Sequence, residues 1–284
     1  MNTNTGAPLF PSSEDSQALH NAGRWDHGSH TEFYQYYARE SVKPKAIHRF
    51  RSIRETVVRS RPALADGGLW EVADIGCGAG TQSLIWAELG CKVRGLDVNE
   101  LLLELARARA AEAGYGIDFV LGSAVSLPWP DESVDVCLAV ELLEHIADWE
   151  SCLKEFTRIV RPGGVLFLST TNALCPRQQE FNLPLYSWYP GVLKRHCERL
   201  AKTTHPQLAN YAKYPAENWF TFYQLRDLLK EKGFDSLDRF DLVDTSRKGS
   251  VARGVLRSIR AVPVLRWLAH MATPGTSVVA LKRP

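Results

Sequence analysis

The chain contains no apolar run approaching the roughly 18 residues that would cross a membrane. Its formal net charge is only +2, too small for the electrostatic footprint of a nucleic-acid binder. Its six cysteines (77, 91, 137, 152, 175 and 197) form no Cys-x-x-Cys pair. The adjacent His196-Cys197 has no second pair at zinc-site spacing, so neither a zinc framework nor a dithiol redox motif is indicated. Several cysteines fall in core-like strands, which points to reduced thiols in a cytoplasmic setting. Residues 1–28 are polar and lack a basic stretch followed by an apolar one. They read as a flexible lead-in rather than a secretory signal. There is no internal repeat, and no Gly-Lys-Ser/Thr phosphate loop.

What is present is a full core composition, 45% hydrophobic over 284 residues, enough for one α/β domain with additions. Val72-Ala73-Asp74-Ile75 reads as a buried strand that breaks into the turn Gly76-Cys77-Gly78-Ala79-Gly80. A helix, a second strand over Lys92–Asp97 and the terminal carboxylate of Asp97 follow. A strand, a glycine turn, a helix, a strand and an acid form the nucleotide-binding half of a doubly wound fold. The glycines let backbone approach a ligand, and the acid accepts hydrogen bonds from ribose hydroxyls. The spacing is G-x-G-x-G, with Thr81 where a dinucleotide site continues toward its third glycine. Asp74 beside the turn would repel a polyphosphate and suits a cationic ligand.

The periodicity predicts two helices over 31–60 broken near Pro44, and strands at 69–75, 92–97, 117–121, 134–140 and 165–169. Helices capped by Asn99 and Asp148 lie between them, and Arg161-Pro162-Gly163-Gly164 ends the second of these. A helix at 221–232 and strands at 237–242 and 277–281 complete the pattern. The expected architecture is a doubly wound, mostly parallel, seven-stranded Rossmann-like sheet with N-terminal helices. One domain is expected over 29–284. Within it, 173–218 is rich in Pro, Tyr, Trp and Arg and reads as a substrate lid. Residues 251–271 read as one basic amphipathic helix kinked at Pro263. Arg253, Arg257, Arg260 and Arg266 accompany Val255, Leu256, Ile259, Val262, Leu265, Trp267 and Leu268 there, a pattern suited either to a peripheral membrane surface or to packing on the domain.

Ligands of open α/β sheets bind beyond the carboxyl ends of the strands. That rule collects the glycine turn, Asp97, Gly122-Ser123-Ala124, Val140-Glu141 and Thr170-Thr171-Asn172 at one edge. Asp-x-Gly-x-Gly-x-Gly followed by an acid on the next strand resembles class I S-adenosylmethionine (SAM) dependent methyltransferases. The resemblance implies that the turn with Asp74, Gly76, Gly78 and Gly80 holds the methionine part, that Asp97 holds the ribose, that Ser123 and Ala124 flank the adenine, and that Val98 and Val140 also belong to the cofactor site. Gly-Ser-Ala stands where relatives often have Asp. Val140-Glu141-Leu142-Leu143-Glu144-His145 narrows the likeness, because it is similar to the Glu-x-x-Glu-His signature of ubiquinone-biosynthesis O-methyltransferases. Arg24-Trp25-Asp26, the segment His48–Arg54, Arg161-Pro162-Gly163-Gly164 and Ser169-Thr170-Thr171-Asn172 also fit that family. The match covers roughly residues 22–243.

The resemblance implies that an N-terminal arginine, matched to Arg54, meets the SAM carboxylate. It also implies a small-molecule acceptor with a phenol, catechol or quinol hydroxyl. Glu141, Glu144 and His145 are candidate ligands for Mg²⁺, which would acidify the acceptor hydroxyl. Without metal, His145, with Glu141, is the candidate general base. Alternative readings are N- or C-methylation of a natural product or sugar, and a SAM-binding scaffold without catalysis. The Asn/Asp-Pro-Pro-aromatic segment of nucleic-acid amino-methyltransferases is replaced by Val-Glu-Leu-Leu-Glu-His, so no nucleic-acid partner is expected. The oligomeric state is left open by the sequence.

Overall fold

A computed structural model describes residues 31–60, 69–209, 216–246 and 248–284. The lead-in 1–28 and the Arg24-Trp25-Asp26 match lie outside these residues. Helices α1 (Thr31–Glu40) and α2 (Pro44–Ser60) precede strand β1 (Glu71–Ile75). The alternation continues with α3 (Thr81–Ala87), β2 (Lys92–Asp97), α4 (Glu100–Glu112), β3 (Asp118–Leu121) and β4 (Val134–Val140). Next come α5 (Trp149–Ile159), β5 (Val160–Thr171), α6 (Gly191–Thr203), α7 (Phe222–Glu231) and β6 (Phe234–Asp238). The short helix α8 (Arg239–Leu242), α9 (Ser250–Ala261), α10 (Pro263–Met271) and β7 (Gly275–Lys282) complete the described chain.

The sheet has seven strands in the order β3-β2-β1-β4-β5-β7-β6. Six run in one direction, and β7 runs antiparallel to both β5 and β6. The strand order reverses between β1 and β4, where sequential strands part, and such a switch point opens a crevice at the carboxyl ends. Alternation of side chains along each strand feeds two apolar layers. Ala73, Ile75, Leu138's neighbours Cys137 and Ala139, and Leu166 pack with Leu153, Phe156, Leu225 and Leu229 on the α5–α7 face. Val72, Val136, Leu138 and Phe167 pack with Ile53, Val57 and Trp86 on the α2–α3 face. Burying each such side chain contributes about 1.5–3 kcal/mol.

The expected caps are present. Asn99 accepts from the Leu102 N–H and Asp148 from the Ser151 N–H. Thr221 and Gln224 form a reciprocal capping box on α7. Three expectations are corrected. Arg161-Pro162-Gly163-Gly164 does not separate helix from strand but is an irregularity inside β5, whose register on β4 jumps between Val134 and Val136. Gly163 takes φ 76° there, and Arg161 grips the Asp135 carboxylate with two contacts of 3.0 Å. The segment expected as one strand over 237–242 is the end of β6 followed by α8, because Asp238 caps the Phe240 and Asp241 N–H groups. The kinked helix 251–271 is two helices. Val262 before Pro263 is extended, as a residue preceding proline prefers, and Pro263 begins α10.

Candidate active site

At the carboxyl end of β1, Gly76, Gly78 and Gly80 have φ of 72°, 51° and 76°. Gly80 is the most constrained: a Cβ there would lie 2.8 Å from Ala106 Cβ and 3.0 Å from Phe119 Cζ. The turn therefore needs glycine both for its left-handed backbone and for close packing on α4. Asp97 spans it. One carboxylate oxygen accepts the Gly78 N–H at 2.8 Å and the other accepts the Asn99 N–H at 2.9 Å. Burial raises the Asp97 pKa, and these N–H groups oppose that rise. Val98 beside it is exposed. The Gly122 N–H bonds the Asp97 carbonyl, which brings half-buried Ser123 and buried Ala124 to the same edge.

Asp74 does not present its charge to a ligand, as the sequence suggested. It is buried, and accepts Ser83 Oγ at 2.6 Å and Gln82 Nε2 at 2.9 Å. It ties β1 to the first turn of α3. Burial pushes its carboxyl up to about 6 despite those two donors.

One strand over, Ile75 pairs with Ala139, so the glycine turn and Val140-Glu141 are neighbours. Glu141 has φ 52°, rare for a non-glycine residue and a form of strain that collects at functional sites. Its two oxygens meet both terminal nitrogens of Arg49, at 2.6 and 2.8 Å. Arg54 is elsewhere. It donates to the Ile85 carbonyl at 2.7 Å and pairs with Glu88 at 3.2 Å, at the end of α3 away from the glycine turn. The arginine at the ligand edge is Arg49, one turn earlier on α2.

Leu143–His145 form a short 3₁₀ turn. Glu144 is buried and accepts Thr170 Oγ1 at 2.9 Å. Burial holds its carboxyl well above the ordinary range. Burial lowers the His145 imidazole to about 4, so it is neutral near pH 7 but a weaker base than its reference value implied. Its Nδ1 is buried without a partner among the described residues. The three proposed metal donors do not converge. Glu141 is turned to Arg49, Glu144 to Thr170, and His145 is buried behind them. Among the described residues no group of three or more His, Cys, Asp or Glu is placed to hold a metal ion.

A cavity of about 240 Å³ opens beside this edge, with Arg49, Glu141, Glu144, Glu180, Trp219 and Arg239 in its wall. His145 is not part of that wall. The segment 173–218 reaches the cavity through Gln178, Gln179 and Glu180. It packs on its own small core, where Phe181 stacks on buried Tyr186 at 4.0 Å. Its return clasps the Glu144 turn: the Glu217 and Asn218 N–H groups bond the Glu144 carbonyl, and Asn218 Nδ2 bonds Leu143 and Ile146.

Residues 73–168 match the family model described as a methyltransferase domain. A ubiquinone biosynthesis O-methyltransferase of Mesorhizobium japonicum is 34% identical over 140 residues, 46% of this chain and 56% of the relative. The protein of that name from Parvibaculum lavamentivorans is 36% identical, over 46% and 55% of the two chains. The chain thus spans just over half the length of these curated relatives. The solved structure of the PH0226 protein from Pyrococcus horikoshii superposes with a TM-score of 0.55 at 15% identity, covering 89% of this chain and 100% of the other. That likeness concerns the fold.

Two residues of the ligand edge were not singled out by the sequence. Arg49 was passed over for Arg54 because the run Arg49, Arg51 and Arg54 gives no sign of which face turns to the sheet edge. Arg109 lies in the last turn of α4 and donates to the carbonyls of Ala79 and Ala38 and to Ser41 Oγ at 2.8–3.1 Å. It pins the glycine turn to α1 and its following loop, and only the tertiary structure reveals it.

Proposed function

We propose that the protein transfers a methyl group from SAM to a hydroxyl of a small aromatic molecule, a phenol, catechol or quinol. The observation that carries this reading is Asp97, whose carboxylate spans the glycine turn one strand from the Glu141 edge and its cavity. The residues fit SAM: the turn leaves open backbone, Asp97 supplies ribose acceptors, Val98, Ser123 and Ala124 form an adenine-side wall, and Val140 bounds the site on the β4 side of the turn. When bound, SAM supplies an electrophilic methyl group on a sulfonium. Arg49 takes its carboxylate in place of Glu141. The freed Glu141 faces the acceptor hydroxyl and accepts its proton as the oxygen–methyl bond forms and the sulfur–methyl bond breaks. His145 backs that carboxylate. The segment 173–218 serves as the lid that excludes water, and the gain comes mainly from alignment and desolvation.

No Mg²⁺ step enters this scheme, given the divergent donors. The names of the curated relatives support an oxygen acceptor, and a cytoplasmic setting suits the six free thiols. Labelled SAM with a panel of phenols, catechols, demethylquinols and amines tests the activity. Absence of SAM binding at millimolar ligand would sink it.

The α9–α10 pair supports a peripheral contact with an anionic membrane. Val251, Val255, Val264, Trp267 and Leu268 are exposed on it, alongside exposed Arg253 and Arg257. The other two arginines are engaged inward, Arg260 on the Phe240, Asp241 and Val243 carbonyls and Arg266 on Asp238 and Asp241. No described helix is long and apolar enough to cross a membrane. Binding to phosphatidylglycerol vesicles should fall in the Trp267→Ala, Leu268→Ala pair; unchanged binding would remove this helix pair as the contact.

A further inference from the structure

Among the described residues, one cation in the cavity wall makes no ion pair. Arg239 follows the last residue of β6, and β6 runs parallel to β5 because both are antiparallel to β7. Arg239 thus stands at the same carboxyl edge as the glycine turn and Glu141. It is half-buried in the cavity wall. Among the described residues it makes no hydrogen bond or ion pair.

The surrounding carboxylates are otherwise engaged. Asp238, which bears on Arg239 most directly, accepts Arg266 at 2.7 Å and lies 2.8 Å from His270 Nε2. Glu141 is paired with Arg49, Glu144 accepts Thr170 Oγ1 and is raised by burial, and Glu180 is raised by burial while accepting the Ala216 N–H. A guanidinium stays charged at any physiological pH, so the unmatched group here is cationic.

The cavity wall adds a second observation. Ser277 on β7 pairs with Ser169 on β5, and both line the cavity together with Arg239, the first residue of α8. Ser169 is 8% exposed, lines the cavity, and its Oγ has no partner among the described residues. A buried hydroxyl in that state is uncommon in folded proteins and is relieved by a ligand oxygen.

We propose that Arg239, with the Ser277 and Ser169 hydroxyls, forms an oxyanion subsite that recognises a carboxylate or phosphate carried by the acceptor. A forked guanidinium matches two oxygens of either group. Ser169 lies beside Glu141, whose N–H bonds the Ser169 carbonyl, whereas Arg239 follows β6, three strands from β4, so the guanidinium holds the acceptor from the side away from Glu141. This deepens the methyl-transfer reading by naming a feature of the acceptor, and it rests on that reading.

Calorimetric titration with 3,4-dihydroxybenzoate, phenyl phosphate and catechol, each with and without S-adenosylhomocysteine, tests it. At least one anionic probe should bind about tenfold or more tighter than catechol, the scale of a hydrogen bond to a charged group. Arg239→Gln should erase that preference while leaving the affinities for catechol and S-adenosylhomocysteine unchanged, and Arg239→Lys should keep part of it. The Ser169→Ala, Ser277→Ala pair should lower the preference severalfold, which serves if Arg239→Gln fails to fold. The tighter anionic probe identifies the group as carboxylate or phosphate. Equal binding of anionic and neutral probes by the wild-type protein, or a preference that survives Arg239→Gln, overturns the subsite. Loss of S-adenosylhomocysteine binding alone, with the anion preference intact, would sink methyl transfer and leave the subsite standing.

Discussion

The two halves of the ligand edge are built differently. In the β1–β2 half every named polar group is tied within the fold: Asp74 to Gln82 and Ser83, and Asp97 to Gly78 and Asn99. In the β5–β7–β6 half the polar groups are left open, with Arg239 unpaired and Ser169 Oγ unmatched among the described residues. A half that receives an invariant donor gains from being set before binding, since ordering then costs less. A half that receives a particular acceptor keeps donors and charges that only that acceptor completes.

The largest expected effect lies in the set half. Gly80→Val would add side-chain atoms where even a Cβ lies 2.8 Å from Ala106 and 3.0 Å from Phe119, at φ 76°. Left-handed strain of about 1–2 kcal/mol and overpacking of about 1–3 kcal/mol add there. Urea unfolding should show a loss of several kcal/mol, and SAM binding should disappear. Ser169→Ala, in the open half, should change stability by less than about 1 kcal/mol and leave SAM binding alone. If the glycine variant bound SAM within tenfold of wild type, the set half would not be set.

The same contrast governs what the sequence disclosed. The glycine turn, Asp97, the Asn99 and Asp148 caps and β4 are local, with each residue's role fixed by near neighbours in the chain. They were legible to within a residue or two. Arg239, Ser277 and Ser169 come from segments far apart in sequence that meet in one cavity wall, and no local pattern announces it. Arg54 and Arg266 show the same limit. Both carry the expected charge, but one lies at the wrong end of α3 and the other turns inward to Asp238. Helical spacing gave the stripe without saying which neighbour it would meet.

A second contrast concerns protons. Asp74 is pushed up from 3.8 to about 6 by burial. Its folded form holds a proton more tightly than the unfolded chain does. The stability this confers is fully present below about pH 4 and is lost as pH rises through 6. His145 is lowered from 6.5 to about 4, also by burial. Its contribution is present above pH 6.5 and is lost as pH falls through 4. Each shift of about two units corresponds to roughly 3 kcal/mol, so the two slopes largely cancel over the same window. Asp74→Asn should therefore gain on wild type by about that amount between pH 4 and 7, and His145→Gln should gain in the opposite direction. Asp97 and Glu144, also raised by burial, remain in both variants and drop out of the difference. Unfolding curves at pH 4, 5.5 and 7 decide it; parallel curves for variant and wild type would show that neither group titrates as its burial dictates.

The smallest effect sharpens the boundary between the halves, where Arg49 and Glu141 meet. If the SAM carboxylate takes Arg49 from Glu141, donor binding replaces one charge-assisted pair by another. The net gain is then smaller than the 1.5–3 kcal/mol of an uncontested bond to a charged group, near a factor of ten. Arg49→Ala should weaken SAM binding by about tenfold. Glu141→Gln should tighten it two- to threefold, because the competing carboxylate is removed. Arg54→Ala, which loses only the Ile85 and Glu88 contacts beyond the far end of α3, should leave SAM affinity within about threefold and cost at most about 1 kcal/mol of stability. Titration of the three variants orders the arginines directly. If Arg54→Ala weakened SAM binding more than Arg49→Ala, the assignment drawn from the sequence would stand, and the pair at the boundary would be a structural clasp rather than the place where the donor arrives.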